Sequence, residues 1–178
     1  MKTPKNKLAQ GLRDYLECEV LLSEFFDKAN FCLPHCISRP LGKYNIRTGS
    51  DRELTSFPGN VGCCPESMFN FTNYPEISNH SLLEAERVKK YGTPIKKKDT
   101  CDYHTPEGCA FKDHKTPTCL GYICPDFLWY LDEKFGINYS KYGIIKNLEL
   151  ILAGKKPSGE VREFKETLKG LVTAVDRN

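Results

Sequence analysis

A chain of 178 residues, 39% hydrophobic and 28% charged, holds enough apolar material for one domain with its own core, and nothing in it requires a second. A net charge of +3, with basic residues dispersed along the chain, argues against a nucleic-acid surface, and the Lys96-Lys97-Lys98 run reads as a solvated turn. No window approaches the roughly 18 apolar residues of a membrane span. Arg13, Asp14, Glu17 and Glu19 interrupt the stretch where a secretion signal needs an apolar run, so the expectation is a cytoplasmic protein in a reducing compartment.

From Lys7 to about Asn30, apolar residues recur at helical spacing as Leu8, Leu12, Tyr15, Leu22, Phe26 and Ala29, with Leu16, Val20 and Phe25 widening the face. Cys18, inside this repeat, reads as a small buried hydrophobe. Phe31 to Asn79 shows neither helical nor alternating periodicity. A structureless segment of that length inside a domain calls for something other than a core to fix it. Ser81-x-x-Glu84 reads as a capping box opening a short helix to Tyr91, stopped by Gly92. A second loop runs from Thr93 to Tyr122. Pro125 suits the first turn of a helix to Phe135, with Gly136 after it, and a further helix spans Lys141 to Ala153, with Gly154 after it. Ser158 is placed to cap the last, in which Val161, Phe164, Leu168, Leu171 and Val175 keep helical register. The predicted fold class is mainly α: one domain over 1–178 in which a helical scaffold, at about 7–30 and 125–176, frames two irregular cysteine-rich metal-binding loops at about 31–125.

The loops carry eight of the nine cysteines, in close pairs: Cys32/Cys36, Cys63/Cys64, Cys101/Cys109 and Cys119/Cys124. An odd total forbids complete pairing within one chain, and nine in 178 is below the roughly 8–10% of a disulfide scaffold. Thiolates a few residues apart close chelate rings around soft metals. All eight are therefore candidate metal ligands. Gly62, Gly108 and Gly121 are placed to turn backbone amides toward a cluster, and Pro65, Pro117 and Pro125 add stiffness. Structural zinc is the chemical rival, but zinc knuckles usually show C-x2-C twice and this chain has none. The expected cofactor is one or two iron–sulfur clusters, of the 4Fe–4S type, with zinc as the alternative.

Of the four histidines, His35, His80, His104 and His114, the ordinary reading is an imidazole bonded to backbone. His114, between Cys109 and Cys119, is the one placed to donate a hydrogen bond or move a proton near a metal. Asp102 and Glu107 read as solvated loop charges. Cys32-x3-Cys36 opens like a radical S-adenosylmethionine motif, but Arg39 stands where the third cysteine is due. No phosphate-binding or nucleophile-elbow motif is present, so no catalytic residue is assigned. Phe127-Leu128-Trp129-Tyr130 is an aromatic segment read first as core and only second as a docking face.

Gly62-Cys63-Cys64, followed by Gly108-Cys109, Pro117, Cys119 and Tyr122, distantly resembles the YkgJ type of zinc- or iron-chelating domain, whose name pattern is CxxCxxCC. The resemblance covers roughly residues 60 to 125 and implies metal binding, not a particular reaction. It supports Cys63, Cys64, Cys109 and Cys119 more firmly than Cys32 and Cys36, because the family's leading C-x2-C-x2-CC is broken here and Thr116-Pro117 stands for its Arg-Pro.

The functional expectation is an iron–sulfur protein serving electron transfer or redox sensing with a protein redox partner. The alternatives are a cluster-dependent enzyme with an open iron position and a structural zinc-binding interaction module. Replacing Cys63, Cys64, Cys109 or Cys119 with alanine should lower bound metal per chain, whereas Cys18→Ala should leave it unchanged, as elemental analysis of purified protein would show.

Overall fold

The structure is a computed structural model describing residues 4–31, 78–93, 103–105 and 108–177. The architecture is mainly helical. Among the described residues, six helices, α1 (Pro4–Ala29), α2 (Ser78–Tyr91), α3 (Pro117–Gly121), α4 (Pro125–Phe135), α5 (Lys141–Leu152) and α6 (Ser158–Asp176), accompany one antiparallel hairpin of β1 (His104–Thr105) and β2 (Gly108–Cys109). No helix among the described residues is long and apolar enough to cross a membrane.

Helix α1 is the axis, packing against α6, α5, α2 and α3. Its buried line is Tyr15, Cys18, Leu22, Phe25 and Ala29, each at most 1% exposed, with Glu19 buried on the same face. The repeat admits a wider face, yet Leu12, Leu16 and Phe26 lie half-buried at its edge, and Val20 is 65% exposed. The seam is decided by what α5 and α6 bring to it, namely Ile144, Leu148, Ile151 and Leu152 from α5 and Val161, Phe164, Leu168, Val172 and Val175 from α6. Burying side chains of this size contributes about 1.5–3 kcal/mol each. At Gly11 a Cβ would lie 2.7 Å from the Ile151 carbonyl oxygen and 3.1 Å from Gly154, so only glycine lets α1 cross the end of α5 this closely.

Helices α1 and α6 run parallel. Lys165 bonds both Asp14 and Glu17 at 2.6 Å, and Lys28, a few turns further along α1, pairs with Asp176 at the end of α6. At its C-terminus α1 stops at Asn30, which takes a left-handed conformation (φ 46°) and donates its N–H to the Phe26 carbonyl. Beyond it Phe31 stacks on Phe127 of α4, ring centroids 4.7 Å apart and 7° from parallel, while Phe25 stacks on Tyr139 at 5.8 Å. Phe127 is thus core, and Leu128 and Tyr130 pack on its edge, in agreement with the first reading of the aromatic segment.

Three local expectations are corrected. Helix α2 opens at Ser78, not at a capping box on Ser81, and Ser81 is an exposed residue inside it. The preceding turn is fixed instead by buried Asn79, whose Nδ2 donates to the Leu152 carbonyl at 2.6 Å. Ser158 is the first residue of α6; the cap position belongs to Pro157, which makes no side-chain cap bond. The second loop is not wholly irregular, since it contains the hairpin and α3. There Thr116 accepts the Cys119 N–H and Pro117 takes the first helical position.

Two glycine replacements test this packing. Gly11→Ala should cost about 1–3 kcal/mol, because the clash is with backbone that cannot give way. Gly170→Ala, at an open position inside α6, should stabilise by about 0.5–1 kcal/mol, both read from urea-unfolding midpoints.

Candidate metal centre

Of the eight candidate ligands, Cys32, Cys36, Cys63, Cys64 and Cys101 lie outside the described residues, as do His35, Asp102 and Glu107. Cys109 is placed by its backbone in β2, opposite His104. Cys119 and Cys124 are placed with their side chains, both half-buried. These three are carried by one described stretch, 108–135, supported by α1, α2 and α5.

The stretch begins on a platform. Tyr103 and Phe111, on either side of the hairpin, meet with centroids 4.0 Å apart, and Ala110 donates its N–H to the Tyr103 carbonyl. The guanidinium of Arg87, a residue of α2 only 1% exposed, lies 5.3 Å from the Phe111 ring centre and 5.8 Å from that of Tyr103. Tyr91 meets Phe111 edge-on at 5.2 Å. The Cys109 strand is therefore seated on α2 through aromatic and cationic contacts.

Residues 112–116 then make a turn held from two sides. Lys112 and Asp113 donate their backbone N–H groups to the Tyr91 hydroxyl at 3.1 and 3.2 Å, and that hydroxyl donates to the Asp113 carboxylate at 2.8 Å. From α1, Glu19 accepts the His114 N–H at 2.9 Å and the Lys115 N–H at 2.8 Å, one on each carboxylate oxygen. Tyr15 donates its hydroxyl to the Lys115 carbonyl at 2.7 Å. His114 sits at the bend with φ 60°, a left-handed backbone uncommon for a side chain of this size. Its Nδ1 lies 2.6 Å from Asp113 Oδ1, so among the described residues the imidazole is paired with a carboxylate and not with a cysteine sulfur. His80, the histidine outside the loops, is buried within α2.

The turn feeds directly into the two sulfurs. Cys119 falls in the single turn of α3 that Thr116 begins. Cys124 occupies the N-cap of α4, where its Sγ accepts the Phe127 N–H at 3.4 Å. The sulfur so placed faces the N-terminal end of the helix and carries one backbone amide donor. Gly121, expected to turn an amide toward a cluster, also serves the packing of this stretch. It is buried in α3 against α5, where a Cβ would lie 2.4 Å from Ile145 Cγ1.

The third described thiol is a contrast. Burial pushes Cys18 up to about 12, with Lys165 opposing and Asp14 and Glu17 reinforcing, so it stays protonated at neutral pH. Burial also raises the Glu19 carboxyl, against the lowering effect of its bonds from Lys115 and His114. Tyr15 is raised well above its ordinary value by burial, then by the charges of Glu19 and Cys119, while Arg87 opposes.

Among the described residues no three His, Cys, Asp or Glu side chains gather closely enough to hold a metal ion. Cys119 and Cys124 supply soft donors compatible with an iron–sulfur cluster or zinc, and completing such a site requires Cys109 and cysteines outside the described residues. Glu19, Tyr15, Arg87 and Tyr91, which organise this region, carry no functional signature in the sequence. The signal for Glu19 is its place on the apolar line of α1, and Arg87 follows buried Leu83 at the same helical spacing. No protein-family model, curated protein or solved structure matches this chain.

Partial burial works against ionisation of Asp113, but hydrogen bonds from Lys90, His114 and Tyr91 outweigh it and hold its carboxyl well below the usual range. Because the folded value lies below the unfolded one, this stabilisation is complete above the unfolded value of about 4 and is lost as pH falls through the folded value. Wild type and Asp113→Asn should therefore differ in urea midpoint at pH 7 and begin to converge only as pH falls below about 4. Glu19 has the opposite sign and is common to both proteins. A gap that widened on acidification would contradict this account.

Proposed function

We propose that this protein binds an iron–sulfur cluster through its loop cysteines and works as an electron-transfer or redox-sensing protein in the cytoplasm. The observation that carries this reading is the contrast among the described thiols. Cys18 is sealed in the core and held protonated, whereas Cys124 caps a helix with an amide donor on its sulfur and Cys119 sits half-buried in the adjoining turn. Cys63, Cys64, Cys109 and Cys119 are the leading ligands, with Cys101 and Cys124 as companions and Cys32 and Cys36 available for a second centre. The spacing in sequence supports this ranking, as does the resemblance to the YkgJ-type domains.

When bound, a cluster supplies one-electron chemistry. The chain's own part is to hold sulfur donors, exclude water and offer a face to a protein redox partner, none of which needs an acid–base residue. Phe31, the residue before Cys32, stacks on Phe127 in the first turn of α4, the helix capped by Cys124. That stack anchors the end of α1 next to one of the candidate sulfurs. Zinc chelation is the competing outcome and has the same donors.

Protein purified without oxygen should be brown, show broad sulfur-to-iron absorption and contain iron and acid-labile sulfide, with a paramagnetic resonance signal in one redox state. Colourless protein with stoichiometric zinc would instead establish the structural module and end the iron–sulfur reading.

A further inference from the structure

We infer that Glu19 and Tyr15 of α1 are positioning residues whose task is to fix the backbone that places Cys119, an inference that rests on the metal-binding reading above. A carboxylate 2% exposed on the buried line of the central helix loses its hydration, and an apolar residue there would extend the core contact without that loss. Compensation comes from the turn, because each Glu19 oxygen accepts one backbone N–H, from Lys115 and His114. Tyr15, one helical turn earlier and fully buried, takes the remaining backbone group of Lys115 by donating to its carbonyl. Two side chains on one face of α1 therefore fix three polar groups of two consecutive residues.

The purpose of this clamp lies in the residue that succeeds Lys115. Thr116 is 1% exposed, and its hydroxyl accepts the Cys119 N–H at 3.2 Å. The bonds run without a break from α1 through Lys115 and Thr116 to the Cys119 backbone. His114 bends the chain there with φ 60°, and in that turn two successive N–H groups face one carboxylate. A ligand sulfur held by such supports keeps its distance and angle to a metal, and loosening the supports of a ligand typically lowers metal affinity by about 10–100-fold.

The test uses the full chain with Glu19→Gln, which turns one acceptor into a donor facing a backbone N–H, and Tyr15→Phe, which deletes a single hydroxyl. Tyr15→Phe serves as the gentler variant should Glu19→Gln perturb folding. With helical circular dichroism unchanged, amide exchange at His114, Lys115 and Cys119 in metal-free protein should accelerate about tenfold. In metal-loaded protein, transfer of the metal to a colorimetric chelator should quicken by a similar factor, with a shifted charge-transfer band. Unchanged exchange at Cys119 in both variants overturns the clamp. Accelerated exchange with unaltered chelator kinetics and spectrum overturns its role at the metal, leaving a purely structural contact. Wild-type protein that takes up neither iron nor zinc overturns the proposed function instead, and accelerated exchange would then still support the placement of Cys119.

Discussion

The turn that leads into Cys119 depends on a charged group placed where the fold has least tolerance for one. Helix α1 must present an apolar line to α5 and α6, yet it also carries the Glu19 carboxylate, and the two demands are reconciled by letting the carboxylate organise a neighbouring backbone turn. Had Glu19 been apolar, α1 would still pack, but residues 114 and 115 would have to find other acceptors for their N–H groups. The polar contacts on this face thus do little for the scaffold and much for the segment laid over it. Tyr91 and Arg87 play the same part from α2, one through its hydroxyl and the other through its flat cation against two rings.

This division between scaffold and overlay explains what could be read from the sequence. Helix α4 is legible because Pro125, Gly136 and apolar spacing agree, α5 because apolar spacing meets Gly154, and α6 and α1 because their apolar repeats keep helical register. Its buried line is less so. The repeat offers several apolar strips, and only the partner helices choose Phe25 over Val20. Ser81-x-x-Glu84 matches a capping pattern that the structure does not use, because the Asn79 bond to Leu152 fixes the helix start earlier.

The overlay is harder to read, since it is built from single polar contacts without period. Helix α3 is one turn long, too short for periodicity, although Thr116 before Pro117 is a cap signature that would have found it. Glu19 stands in the sequence only as a charge that interrupts an apolar stretch. Its partners are backbone groups, which look the same in every sequence, so no pattern of residue types announces a carboxylate that reads the main chain. Cys124 is recognisable as a thiol and Pro125 as a helix start, but their combination, a sulfur serving as the cap, emerges only from the geometry.

The parallel pairing of α1 and α6 has a consequence for how the molecule comes into being. Asp14 and Lys165 are 151 residues apart in sequence, and the apolar wall that closes over α1 comes from α6. During synthesis α1 leaves the ribosome with Tyr15, Leu22 and Phe25 exposed and must wait for the intervening chain to be made before its main neighbour exists. Closure of the core therefore waits until α6 has been made, and a chain halted before α6 would display an uncovered hydrophobic stripe to chaperones and proteases.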